Sequence, residues 1–233
     1  MMNNPLGTSP GQVGVRPATT AGQQFLVHAF AWMFAGLLLT AGVSAVVQSS
    51  GTLTTFAARN FLLLFFGQLA LVFVISGAIR RLNATLALGL FFLYAATLGL
   101  TVGLIVQLYT KGSVTVAFLS SSAMFGAAAL YGATTKRSLA GLGGILFMGL
   151  IGLLVAIVVN LFLQSSAVSW VISLVGVVIF TALTAYDVQR IQSGTLVSSV
   201  GSVEKAAVVG ALQLYLDFIN LFLFLLRLTG GRR

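Results

Sequence analysis

Residues 206–228 read AAVVGALQLYLDFINLFLFLLRL, and this stretch decides the fold. About 20 consecutive, mostly apolar residues are enough to cross the hydrocarbon core of a bilayer as an α-helix. Gln213, Asp217 and Asn220 are spaced four and three residues apart, so they share one helical face, and Arg227 continues that face. Lipid offers such side chains no partner. The stretch therefore predicts a transmembrane helix whose polar stripe faces the interior of a helical bundle.

The rest of the chain repeats this pattern, because 58% of its 233 residues are hydrophobic and only 6% are charged. Such a composition excludes an ordinary soluble domain. We predict an all-α integral membrane protein with seven transmembrane helices, at about residues 25–47, 61–79, 84–106, 114–131, 139–162, 168–191 and 206–228. Residues 1–24 are polar and predict a disordered tail. Residues 25–228 then form a single seven-helix membrane domain, followed by a short basic tail at 229–233.

Charge and reactive side chains exclude several classes of function. The net charge is +9, but the cations stand singly or in pairs between apolar runs, which is typical of loop anchors and not of a nucleic-acid surface. The chain has no cysteine and one histidine, so thiolate metal sites, cysteine nucleophiles and multi-histidine sites are excluded. We expect no bound cofactor.

The distribution of lysine and arginine predicts the orientation of the bundle. The second, fourth and sixth connections carry more cations than the first, third and fifth; the former hold Arg80, Arg81, Lys136, Arg137 and Lys205, and the latter hold Arg59 and Lys111. We therefore expect a multi-pass protein of the inner or plasma membrane with a cytoplasmic N-terminus. Arg232 and Arg233 would then lie outside, unless the last segment is re-entrant; we favour seven full spans.

The fifth span is rich in glycine, with Gly141, Gly143, Gly144, Gly149 and Gly152. Glycine lets helix backbones approach closely in lipid. This pattern predicts a tight seam between the fifth helix and a neighbour.

Two of the three acidic residues, Asp187 and Asp217, lie inside the sixth and seventh spans. A carboxylate in the membrane costs roughly 2.5–3.5 kcal/mol on insertion scales, so it is normally paired and functional. The two positions are symmetric about residue 202, which predicts similar depths on an antiparallel helical hairpin. Two adjacent carboxylates would share one proton, and the fully ionised pair would attract a cation.

Calcium is the cation we expect at Asp187 and Asp217, held weakly and transiently. Full Ca²⁺ coordination takes 6–8 oxygens, and the pair with Gln213 and Asn220 supplies only part of that number. A purely structural alternative remains open, in which each aspartate is neutralised by Arg80, Arg81 or Arg190 at the cytoplasmic end.

Residues 214–222, LYLDFINLF, with Arg227 five residues on, resemble the C-terminal signature of the transmembrane Bax inhibitor motif family. YGATTK at 131–136, MGLIG at 148–152 and AYDVQ at 185–189 are similar to further family motifs. The resemblance implies a bacterial pH-sensitive calcium leak channel whose C-terminal helix is central, with Asp187 and Asp217 as pH sensor and gate. It also implies that an arginine at the end of the second span contacts the pair; Arg80 and Arg81 are both candidates.

Two other classes compete with a channel. An intramembrane aspartyl protease of presenilin type also carries aspartates on its sixth and seventh helices, but it needs Gly-x-Gly-Asp where this chain has Leu-Tyr-Leu-Asp217, and no proline follows Pro17. A proton-coupled transporter needs a membrane acid, yet no inverted repeat is evident. We therefore expect no enzyme. The expected partners are the lipid bilayer, calcium ions and protons; protein partners stay unknown.

Overall fold

A computed structural model describes residues 20–231, with side chains from residue 24 onward. This part of the chain forms nine α-helices and no strand: α1 (Thr20–Ser49), α2 (Gly51–Arg59), α3 (Phe61–Ala78), α4 (Ala84–Gln107), α5 (Lys111–Thr134), α6 (Leu142–Leu163), α7 (Ser166–Gln192), α8 (Thr195–Val200) and α9 (Val203–Thr229). Seven of them are long and apolar enough to cross a membrane. The predicted helical membrane bundle is confirmed.

The two short helices, α2 and α8, lie where the sequence predicted only connections. The side chain of Ser50 caps α2 by accepting a hydrogen bond from the backbone of Leu53, and Gly194 and Gly201 flank α8 with positive φ angles of 73° and 85°. Both helices are too short to span a membrane. Because neither contains a long apolar run, the hydropathy pattern did not predict them. At the N-terminus α1 already begins at Thr20, inside the predicted tail. The rest of that tail, and residues 232–233, lie outside the described residues.

The last helix, α9, is the most buried element of the bundle. Within its most apolar window 78% of the residues are buried, against at most 39% in any other spanning helix. It packs against α1, α4, α5, α7 and α8, whereas α3 packs chiefly on α4 and α6 on α7. The central position of α9 stays a prediction, and this burial supports it.

The connections between helices gather at two ends of the bundle. Arg80 Nε donates to Ser199 O at 2.8 Å, and Lys205 Nζ donates to Arg80 O at 3.1 Å, so the α3–α4 connection lies beside α8 and the start of α9. Gln189 Nε2 donates to Arg137 O at 2.9 Å, which places the α5–α6 connection at the same end. We call this end, with Arg80, Arg81, Lys136, Arg137, Arg190 and Lys205, the basic end.

The C-terminus of α9 lies at the opposite end. Thr110 N donates to Gly231 O at 3.2 Å, and Gly231 N donates to Ser113 Oγ at 2.9 Å. α9 therefore runs the full length of the bundle, and the re-entrant alternative is wrong. The even-numbered connections share one end, as the orientation prediction requires. Which side of the membrane that end faces stays a prediction.

The glycine-rich seam predicted for the fifth span is only partly present. A Cβ on Gly143 would lie 2.6 Å from Tyr186 Oη, and one on Gly149 would lie 3.4 Å from Ile179 Cδ1, both on α7. The other three glycines have no neighbouring atom within 4 Å, and only 6% of the apolar window of α6 is buried. The seam prediction is wrong for those three, because most of α6 faces outward.

Candidate functional site

The structure brings the two membrane aspartates together. Asp187 lies in the last two turns of α7 and Asp217 lies in the middle of α9, and these helices pack against each other. Both side chains are buried, with 7% and 4% of their surface exposed. The charge of Asp187 acts on the carboxyl of Asp217. The symmetry about residue 202 therefore predicted the meeting of the two side chains correctly.

Two buried oxygens at this site have no hydrogen-bond partner among the described residues 24–231. They are Asp217 Oδ2 and Gln213 Oε1, which belong to residues one helical turn apart on α9. Both are acceptors, and leaving a buried acceptor unsatisfied costs about 1–3 kcal/mol. The site therefore lacks a donor, and a proton on the carboxyl or a bound cation would supply what is missing.

The two arginines proposed as partners do not reach the pair. Arg80 is held by the backbone of Ser199, and Arg81 is exposed. Among the described residues 24–231, neither arginine forms a hydrogen bond or ion pair with Asp187 or Asp217. The cation whose charge acts on Asp187 is Arg190, one turn further along α7. In this structure Arg80 bonds to the backbone of α8 and Arg81 is exposed, so a contact of either arginine with the pair stays a prediction.

Two polar side chains near the aspartates in sequence, Asn220 and Thr184, bond to their own helices. Asn220 Nδ2 donates to Leu216 O at 2.8 Å, so this nitrogen is bonded within α9. Thr184 Oγ1 donates to Phe180 O at 2.8 Å in the same way. Arg227 is exposed. Of the side chains expected to partner the aspartates, Gln213 has a buried acceptor, Oε1, without a hydrogen-bond partner among residues 24–231.

The end of α7 is fixed by contacts on both sides of Asp187. Gly132 of α5 lies directly against the backbone carbonyl of Ala185, where a Cβ would collide. Gln189 accepts from Leu139 N at 2.7 Å and donates to Arg137 O, which fastens the α5–α6 connection to α7. Gly132 belongs to the motif YGATTK and Gln189 to the motif AYDVQ, and both lie near a helix end, but the sequence alone did not reveal their contacts.

The oxygen atoms at the site determine how well it could coordinate calcium. Among the described residues no group of three or more His, Cys, Asp or Glu side chains could hold a metal ion. The pair offers two carboxylates, with Gln213 Oε1 nearby. Because Ca²⁺ takes 6–8 oxygens, these residues supply only part of a calcium coordination shell.

The fold and this site define a class: a helical multi-pass membrane protein with a buried carboxylate pair between its last two spanning helices. A sequence model of the family described as inhibitor of apoptosis-promoting Bax1 matches residues 22–233. The chain belongs to this Bax inhibitor-1-like family.

Similar proteins are bacterial. The inner membrane protein YbhL of Escherichia coli is 44% identical over 217 residues, which cover 91% of this chain and 93% of that protein. An uncharacterized protein of Deinococcus radiodurans is 43% identical over 209 residues, covering 89% and 90%. An uncharacterized protein of Borreliella burgdorferi is 40% identical over 215 residues, covering 90% and 93%. The family recognised from the C-terminal signature is confirmed.

Proposed function

We propose that this protein is a pH-sensitive calcium leak channel gated by Asp187 and Asp217. The observation that carries the proposal is the buried pair itself, with an acceptor oxygen of Asp217 left without a donor. A purely structural pair would be expected to have its hydrogen-bonding capacity filled, because unsatisfied buried polar atoms are rare. Membership of a family of membrane proteins is consistent with this role.

The gate would work through the number of protons on the pair. With one proton on the pair the site carries a single negative charge and has little attraction for a cation. With no proton the two like charges repel; for two unit charges 4 Å apart this amounts to about 4 kcal/mol at an effective dielectric constant of about 20. The fully ionised pair also attracts Ca²⁺. We therefore expect calcium flux to rise with pH over the range in which the pair loses its shared proton.

Gln213 would stabilise the protonated state. Its Oε1 is a buried acceptor one turn before Asp217, so a proton on Asp217 Oδ2 could be donated to it and satisfy both atoms. Gln213→Leu removes that acceptor. We expect the variant to lose its proton more readily and to conduct calcium at lower pH than the wild type.

The test uses purified protein in liposomes that enclose a calcium-sensitive dye, assayed at several pH values. Asp187→Asn and Asp217→Asn should lower the flux and flatten its pH dependence, since neither variant can form the doubly ionised pair. Glu204→Gln is the matched control, because Glu204 is the third acid and is exposed at the start of α9. It should behave as the wild type. Absence of flux in the wild type, or an unchanged pH profile in both asparagine variants, would overturn the proposal.

The same preparation addresses the two competing classes. A proton-coupled transporter would move protons against calcium in a fixed ratio, so an imposed proton gradient would drive calcium uphill. A presenilin-type protease would cleave a labelled transmembrane peptide in an aspartate-dependent manner. We expect neither result.

We also propose that the protein resides in the inner membrane with its N-terminus and its basic end in the cytoplasm. The printed name of the Escherichia coli relative and the lysine and arginine distribution support this. The chain has no cysteine, so single cysteines can be introduced at Lys136 and Lys111 on opposite ends. An impermeant thiol reagent added to intact cells should label position 111 and leave position 136 unlabelled; the reverse pattern would contradict the proposed orientation.

A further inference from the structure

A cleft of about 560 Å³ opens at the basic end, separate from the aspartate pair. Its walls are the last turn of α5, the α5–α6 connection, the end of α7 and the start of α8. Three cations line it, Lys136, Arg137 and Arg190, together with six side chains that carry a hydroxyl: Thr134, Thr135, Ser138, Tyr186, Ser193 and Thr195. No aspartate or glutamate lines it.

The charge of this cleft cannot be balanced from within the chain. The sequence holds twelve lysines and arginines but three acids, of which two are the buried aspartates. The third, Glu204, is exposed and does not line the cleft. Among the cleft cations, Arg190 acts on a buried acid. That acid is Asp187, which lies three residues earlier on the same helix. Lys136 and Arg137 are exposed.

The hydroxyls of Thr135 and Ser138 add donors to the cations, whereas Thr134 Oγ1 and Ser193 Oγ already donate to backbone carbonyls. Thr135 Oγ1 accepts from Arg137 N at 3.3 Å, and Ser138 Oγ accepts from Ala140 N at 3.3 Å. A hydroxyl that accepts from the backbone still has its own proton to donate. The cleft is thus rich in donors and positive charge, which is the chemistry that binds an oxyanion.

We propose that this cleft binds a phosphate group, supplied by the headgroup of an anionic phospholipid or by a soluble phosphate. Arginine pairs with phosphate oxygens through two parallel hydrogen bonds, and lysine adds a point charge. Basic pockets among transmembrane helices at the membrane surface suit lipid headgroups. Leu130 on α5 and Ile145 on α6 are 66% and 68% exposed within about two turns of the cleft, so acyl chains would meet an apolar surface there.

The binding itself does not depend on the proposed channel. Arg190 lines the cleft and also acts on Asp187, so a bound phosphate would compete for its charge; that link rests on the proposed function. Binding is therefore measured directly, with no flux assay. If calcium flux failed while phosphate binding held, the channel would be wrong and the cleft assignment would stand.

The experiment measures lipid retention by the purified protein in neutral detergent, by mass spectrometry of the intact complex. The probes are phosphatidylglycerol, zwitterionic phosphatidylcholine and inorganic phosphate as a competitor. The wild type should retain phosphatidylglycerol in preference to phosphatidylcholine. The triple variant Lys136→Gln, Arg137→Gln, Arg190→Gln should bind it at least tenfold more weakly.

The matched control neutralises two cations at the opposite end, in Arg59→Gln with Lys111→Gln. It should retain the lipid as the wild type does. Arg137→Gln alone, in an exposed connection outside the helices, repeats the test if the triple variant is unstable. Displacement of the lipid by inorganic phosphate would support the site and indicate a soluble phosphate as its ligand. Retention without displacement would support the site and indicate the lipid. No preference for the anionic lipid, or equal loss in the control, would overturn the proposal.

Discussion

The contact between Gly132 of α5 and Ala185 of α7 can be tested by adding a single methyl group. In Gly132→Ala the new Cβ would collide with the carbonyl oxygen, carbonyl carbon and Cα of Ala185, all of them backbone atoms. Backbone cannot turn aside as a flexible side chain can, so α5 and α7 must separate. Overpacking of this kind costs typically about 1–3 kcal/mol.

Gly126→Ala is the matched control, because Gly126 lies on the same helix and has no neighbouring atom within 4 Å. Alanine is the better helix former by roughly 0.5–1 kcal/mol, and both variants gain this alike. The difference between the two variants is therefore the overpacking cost alone. For a domain of this size each kcal/mol moves the unfolding midpoint by about 2–4 °C. Gly132→Ala should thus melt roughly 2–12 °C below Gly126→Ala.

The assay is thermal unfolding of both purified variants in the same detergent, followed by the fluorescence of the two tryptophans. Equal midpoints for the two variants, or a higher midpoint for Gly132→Ala, would refute the close approach of α5 and α7. Since Asp187 follows Ala185 by two residues, that result would also remove the argument for how its position is fixed.

Three further predictions concern the free energy of unfolding, measured in mixed micelles with increasing denaturing detergent. Arg80→Ala should cost about 0.5–1.5 kcal/mol, because it removes a hydrogen bond to α8, whereas Arg81→Ala should change little; equal effects would contradict the assignment. Tyr215→Phe should cost a similar amount, since the buried tyrosine hydroxyl bonds Thr40; no loss would show that this bond is absent. Ser202→Ala should cost about 1 kcal/mol by removing the N-cap of α9, and an unchanged stability would exclude that cap.

The spans were predictable because apolar length is a local property of the sequence. Each predicted span lies within, or within three residues of, a helix that the structure contains. α8 could not be predicted in this way, since its six residues carry no apolar run and its boundaries depend on two glycines with positive φ. For the same reason the partner of Arg80 was not predicted, because this arginine bonds to the backbone of α8.

The glycines likewise show a difference between what the sequence predicts and what packing decides. Sequence spacing marked α6 as the glycine-rich helix, yet the closest backbone approach is made by Gly132 of α5. A glycine matters for packing only if it faces another helix, and rotation about the helix axis decides this. Hydropathy is nearly uniform around these helices, so it does not reveal that rotation.

The sequence by itself predicted seven helices long enough to span a membrane, because apolar length is a local property, and it placed Asp187 and Asp217 on the last two of them. Only the tertiary structure decided which side chains meet the pair. In the structure, Gln213 Oε1 is an unbonded acceptor one turn from Asp217. Asn220 Nδ2 bonds to its own helix, and Arg80 bonds to α8. Those outcomes depend on helix rotation and on contacts between residues far apart in the chain, which no local pattern specifies.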